Sequence, residues 1–134
     1  MKIYLDTNII LDMLFQRENT KLTRYYVKEN LKNDILVTNN LSLNSIFYIA
    51  VEKFKEYENI KEFFKYIDNS LKWEIYNLTK MDKNINTDFE DLQQYISAKN
   101  SGCKAIITND KDFPKLDIQL IRTNLDIESY TPKN

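Results

Sequence analysis

Short apolar runs alternate with helix-period segments along almost all of this chain, and that alternation limits the fold more than any other feature. Lys2–Leu5, Ile35–Thr38, Glu74–Leu78 and Ala105–Thr108 are each rich in Ile, Val or Tyr and too short for a globular helix; Ile118–Ile121 is a fifth, weaker run. Helical patterns lie between them. One follows Asp6 directly. Thr20–Leu31 begins at a capping-type residue, and Leu41–Lys55 carries Ile46, Ile49 and Lys53 around the pair Phe47–Tyr48. Glu58–Ser70 sets Ile60, Phe63, Phe64 and Ile67 on one face, and Asp88–Ser101 runs up to Gly102 in the C′ position. Strands alternating with helices specify an α/β fold. The expectation is a three-layer α/β/α domain with a mostly parallel central sheet of four to five strands. In such sheets ligands gather beyond the carboxyl ends of the strands, where the strand order reverses.

That rule gives a meaning to the carboxylate in Ile3-Tyr4-Leu5-Asp6-Thr7-Asn8-Ile9-Ile10-Leu11. Asp6 sits at the carboxyl end of the first strand, and Thr108-Asn109-Asp110 sits at the same place after the fourth. If those strands are neighbours, both acids face one crevice. Asp91, one turn into the late helix, then overhangs it. Asp6 also suits the N-cap of the first helix. Thr87 and Glu90 form a capping box, and Asp88 suits a first helical turn, so these are read as structural. Asp12 is expected on a solvated face. Asp110 is the preferred acid of its segment, with Asp112 the weaker candidate.

Absences narrow the chemistry further. With no histidine there is no Ser-His-Asp triad and no ordinary zinc-hydrolase site, and a single glycine excludes a P-loop or a dinucleotide fingerprint. One cysteine, Cys103, permits no internal disulfide; it reads as a small buried hydrophobe. An oxygen-only set of acids suits hard cations, Mg²⁺ or Mn²⁺. The 134 residues, 43% hydrophobic and 29% charged, read as a single domain over residues 1–134. No basic-then-apolar leader opens the chain, and no apolar run approaches the ~18 residues of a membrane span, so no membrane and a cytoplasmic location are expected. The net charge of −1 makes no global case for nucleic acid, though a local basic rim at Lys53, Lys55, Lys61 and Lys65 is compatible with it. Tyr25–Tyr26, Phe47–Tyr48, Phe63–Phe64 and Trp73 can stack bases, but adjacent aromatics on helices read first as core plus rim.

Taken together, "IYLDTNIILDMLF" and "DFEDLQQYISAKNSGCKAIITNDKDF", roughly 80 residues apart, resemble the PIN domain family and its VapC-type toxin-like branch. The resemblance covers essentially the whole chain. It implies a PIN-like fold and a metal-dependent endoribonuclease using Mg²⁺ or Mn²⁺. It also implies an RNA substrate, an antitoxin protein as partner, and a homodimer. Asp6, Asp91 and Asp110 match the family's acids, and Thr108 a hydroxyl that organises the pocket. The family's second acid, a Glu, falls within "LSLNSIFYI", where this chain has Ser45. The pocket is thus one negative charge short, and Glu52, two turns on, is too far to substitute. Asn8, Asn44, Ser45 and Thr108 are expected to support the pocket by orienting waters. The rival to the nuclease is a degraded PIN-like module that binds RNA or protein. A haloacid-dehalogenase-type phosphatase needs an acid where Asn8 stands, and a receiver-like domain needs one after a middle strand, where Thr38-Asn39-Asn40 and Leu78-Thr79-Lys80 offer none.

Overall fold

The structure, a computed structural model, describes residues 1–54, 61, 65, 71–79 and 90–133. Nine elements follow one another there: β1 (Lys2–Leu5), α1 (Thr7–Leu14), α2 (Thr20–Asn30), β2 (Ile35–Asn39), α3 (Asn40–Phe54), β3 (Lys72–Tyr76), α4 (Glu90–Asn100), β4 (Ala105–Ile107) and β5 (Gln119–Ile121). Within the helix expected over Glu58–Ser70 only Lys61 and Lys65 are described, both helical and exposed; Lys55, Asp88 and the Thr87 end of the capping box lie outside the described residues.

The five strands form one parallel sheet in the order β3-β2-β1-β4-β5. β1, β2 and β4 are nearly continuous buried runs because both their faces are covered, as parallel sheets require, while the edge strand β3 is partly exposed. Ile3, Leu5, Leu36, Ala105 and Ile107 point to one side, where they pack with Ile9, Ile10, Leu14, Val27, Leu31 and Ile46 from α1, α2 and α3. Tyr4, Val37, Ile106 and Leu120 point to the other, against Ala98 of α4 and Phe113 and Ile118. This is the expected three-layer arrangement. Each fully buried aliphatic side chain contributes about 1.5–3 kcal/mol of transfer free energy.

Element ends moved where pairing outvoted composition. The third strand was expected over Glu74–Leu78 but is Lys72–Tyr76, because the register with β2 runs from Ile35↔Lys72 to Asn39↔Tyr76 and β2 has nothing further to pair. Leu78 is buried beyond the strand, its N–H donating to Asn40 Oδ1 at 2.8 Å. Thr20 does not cap α2; its hydroxyl donates to Phe15 O (2.6 Å) and accepts from Arg17 N–H (2.8 Å), tying the α1–α2 connection. Gly102 does take the C′ position, with φ +77, while its N–H donates to Lys99 O and that of Cys103 to Ala98 O, a Schellman ending.

The strand order reverses between β1 and β4. β1 leads through α1 toward one side of the sheet, and α4 returns the chain to β4 on the other side. The carboxyl ends of β1 and β4 therefore adjoin, joined by the Asp6 N–H donating to Ile107 O at 3.0 Å.

Candidate active site

Asp6 follows β1 and occupies the N-cap position of α1, yet its carboxylate makes no cap hydrogen bond. Instead Oδ2 accepts from Thr108 Oγ1 at 2.7 Å and Oδ1 accepts from Gln94 Nε2 at 2.9 Å. The expected capping alternative is therefore not what the side chain does. Asp6 is 2% exposed. Burial pushes its carboxyl above the usual range, the two hydrogen bonds oppose that, and Glu90 and Asp110 add repulsion.

Thr108, fully buried just beyond β4, joins two acids: its hydroxyl donates to Asp6 and accepts the Asp110 N–H at 3.1 Å. Asp110 is half-buried, and its Oδ1 accepts the Asp112 N–H at 2.9 Å. Asp112 is exposed and joins the cluster through that backbone group. Asp91, second residue of α4, is half-buried. Its carboxyl is pushed up to about 6 by burial, then by Asp110, Asp6 and Glu90, with a hydrogen bond to Asp110 acting in the same sense.

Asp6, Asp91 and Asp110 thus share one electrostatic neighbourhood at the strand-order reversal. Glu90, read from sequence as part of a capping box, adds a fourth negative charge from an exposed position. Asn8, Asn44 and Ser45 are all exposed, and Asn8 Oδ1 accepts from Arg17 Nη2 at 3.4 Å. Beyond Thr108, the buried polar support comes from residues the sequence did not single out. Gln94 grips Asp6, Ser42 and Thr7 share a 2.7 Å hydroxyl contact, and Arg122 donates to the carbonyls of Thr108 and Asp110, both at 2.7 Å. Gln94 had one legible signal, its place three residues after Asp91 on the same helical face. Two other expectations fail. Asp12 is buried, not solvated, and pairs with Arg17 Nε at 3.4 Å. Phe47 and Tyr48 are both exposed, at 46% and 69%, so neither is core.

Among the described residues, no three acidic or sulfur side chains stand grouped as ready metal ligands. The donor set nevertheless suits a hard divalent cation. It is all oxygen, its members repel one another, and among the described ion pairs none involves Asp6, Asp91 or Asp110.

The repulsion makes a prediction. Between the unfolded value of 3.8 and about 6, the folded state keeps a proton on Asp91 that the unfolded state has lost. This stabilising contribution is complete below the unfolded value and disappears as pH rises through the folded one. Metal-free protein is expected to melt at a lower temperature at about pH 7.5 than at about pH 5.5, and added Mg²⁺ to recover part of the difference. Thermal melts at the two pH values, with EDTA or with Mg²⁺, check this; no metal effect at the higher pH would mean that solvent already screens the cluster.

Residues 3–119 match the family model described as PIN domain. The chain is 32% identical over 133 residues to "Ribonuclease VapC1" of Aquifex aeolicus, covering 91% of this chain and 90% of that one. Its fold is similar to VapBC2 from Rickettsia felis, solved bound to a DNA fragment from its promoter, with TM-score 0.65 at 20% identity over 91% of this chain and 98% of that one. It is also similar to Mycobacterium tuberculosis VapC20, a sarcin-ricin loop cleaving toxin, with TM-score 0.61 at 10% identity over 83% and 92% of the two chains.

Proposed function

We propose that this chain, which belongs to the PIN domain family, is a metal-dependent endoribonuclease working as one domain over residues 1–134. Asp6, Asp91 and Asp110 are the acids that would hold Mg²⁺ or Mn²⁺. The observation that carries the reading is their gathering where the strand order reverses, with none of the three in a described ion pair. The ribonuclease relative and the sarcin-ricin loop cleaving structural neighbour support the substrate class. The neighbour solved as VapBC2 supports a protein partner of the antitoxin type. A homodimer is a further part of this reading, resting on the family resemblance alone.

The chain's own groups divide the work. Thr108 and Gln94 hold the Asp6 carboxylate in one orientation before any substrate arrives, so little reorganisation accompanies binding. Asp91 and Asp110 face each other, and Asp91 takes up a proton more readily than an exposed acid does. Asn8, Asn44 and Ser45 lie in contact with solvent, where they can hydrogen-bond water or RNA. A hard divalent cation, when bound, makes water a nucleophile near neutral pH and screens the charge that develops on the scissile phosphate.

One observation favours a second reading. Ser45 is exposed and neutral where the family has a Glu, which suits a module that binds RNA or protein without cutting. Incubating a mixed-sequence single-stranded RNA with pure protein in Mn²⁺, in Mg²⁺ and in EDTA separates the two, with Ser45→Glu run alongside. The expected result is cutting with either metal and none in EDTA, with Ser45→Glu lowering the metal concentration required. A folded protein that cuts under no condition, with its Ser45→Glu variant equally inert, would leave the binding module standing.

A further inference from the structure

We propose that Gln94 is a positioning residue for the metal-binding acids: it fixes Asp6 against α4 and so sets the spacing between Asp6 and Asp91. The inference rests on the metal-dependent reading of this same site.

Gln94 is 1% exposed and uses both ends of its amide on one dipeptide. Nε2 donates to Asp6 Oδ1 at 2.9 Å, while Oε1 accepts the Thr7 N–H at 3.0 Å and, more distantly, the Thr7 hydroxyl at 3.4 Å. A buried amide without partners is costly, so these contacts hold both groups firmly. Simple packing or simple capping does not require this arrangement. An aspartate already stands at the N-cap of α1, and its carboxylate is of a type that satisfies first-turn N–H groups. Gln94 instead takes the Thr7 N–H, the first helical donor, which an N-cap side chain does not reach. The Asp6 carboxylate makes no capping hydrogen bond and is held by Gln94 on one oxygen and Thr108 on the other.

The position of Gln94 on α4 gives the contact its consequence. Asp91 lies one turn before it on the same face. One turn further on, Ser97 Oγ accepts from Asn39 Nδ2 at 3.1 Å, and Ala98 is buried against the sheet, so α4 is anchored to it. Thr7 passes the connection on to α3 through its contact with Ser42. The Asp6–Gln94 bond is therefore the direct tie between the strand end that carries one acid and the helix that carries another.

The test measures Mn²⁺ binding without RNA, from the electron paramagnetic resonance signal of free Mn²⁺, and then separates kcat from KM on RNA. Gln94→Met keeps the length and helix propensity of the side chain and removes all three hydrogen bonds. Gln94→Asn keeps an amide too short to span both partners, and serves if the first variant folds poorly. Ser97→Ala, on the same helix and away from the acids, reports the effect of lost packing and hydrogen bonding alone. Both Gln94 variants are expected to bind Mn²⁺ about 10–100-fold more weakly and to lose kcat with little change in KM. Ser97→Ala should lower the melting temperature while leaving Mn²⁺ affinity within ~twofold of wild type. Mn²⁺ affinity unchanged in Gln94→Met, or weakened equally in Ser97→Ala, would overturn the inference. Failure of the wild-type protein to bind Mn²⁺ at all would instead overturn the metal reading on which it rests.

Discussion

Asp6→Asn is expected to remove metal-dependent RNA cleavage, by well over ~100-fold, while the melting temperature stays level or rises. Partners of a metal ligand typically account for 10–100-fold in affinity or activity, so loss of the ligand's own charge sets that as a floor. Stability moves the other way because of burial. The Asp6 carboxyl is pushed up chiefly by desolvation, and Glu90 and Asp110 add to it, so its ionised form weakens the fold at neutral pH. Asparagine removes that charge at nearly constant volume. Its Oδ1 still accepts from the Gln94 amide, and its Nδ2 faces the Thr108 hydroxyl, which can rotate to accept. RNA cleavage in Mn²⁺ and a thermal melt on the same preparation decide it. Cleavage retained together with a large fall in melting temperature would make Asp6 a structural residue.

Most of the sheet was legible because β1, β2 and β4 are buried on both faces, which leaves runs such as Ile35–Thr38 and Ala105–Thr108 largely apolar. The adjacency of β1 and β4 stood only as a condition for Asp6 and Asp110 to face one crevice, because neither strand's residues name its neighbour; the pairing meets that condition. Ends set by a partner were less legible, as β3 shows: where Lys72 begins pairing depends on Ile35, not on the polarity of Lys72. The support beneath the acids was hidden for a related reason. Gln94, Ser42 and Arg122 are polar residues in ordinary positions, and only the packing of α4, α3 and the segment after β5 turns them inward. Asp12 misled in the same way, since a carboxylate on an amphipathic helix reads as solvated until Arg17, from the following loop, folds over it. A local pattern marks a candidate acid better than it marks what holds that acid.

Arg122→Ala is the substitution expected to cost the most stability. The side chain is 2% exposed and lies just past β5. Its Nη1 donates to the carbonyls of Thr108 and Asp110 at 2.7 Å each, and its Nε to Glu128 O at 3.0 Å. Burial pushes the guanidinium down from its ordinary value, while Asp110 and Asp6 draw it back, and an arginine in this setting remains charged. Alanine leaves three carbonyls without these donors and opens a cavity beside them. Thr108 O is the buried acceptor of the three, while Asp110 O keeps the Phe113 N–H and the bond to Glu128 O is half-buried. At about 1–3 kcal/mol for the first and less for the others, with the cavity added, the expected loss is about 2–4 kcal/mol. Arg122→Lys keeps the charge but replaces a planar fork with a single ammonium that cannot reach all three acceptors in the same geometry, so it should recover only part of that loss. Urea denaturation of the three proteins measures the order. Because two of the carbonyls belong to the turn that carries Thr108 and Asp110, cleavage should fall in both variants even at temperatures where they remain folded. A loss below about 1 kcal/mol in Arg122→Ala would mean that water replaces the guanidinium. The turn would then be held by the Thr108 hydroxyl and by Asn109, whose side chain already bonds Thr123 and Asn124.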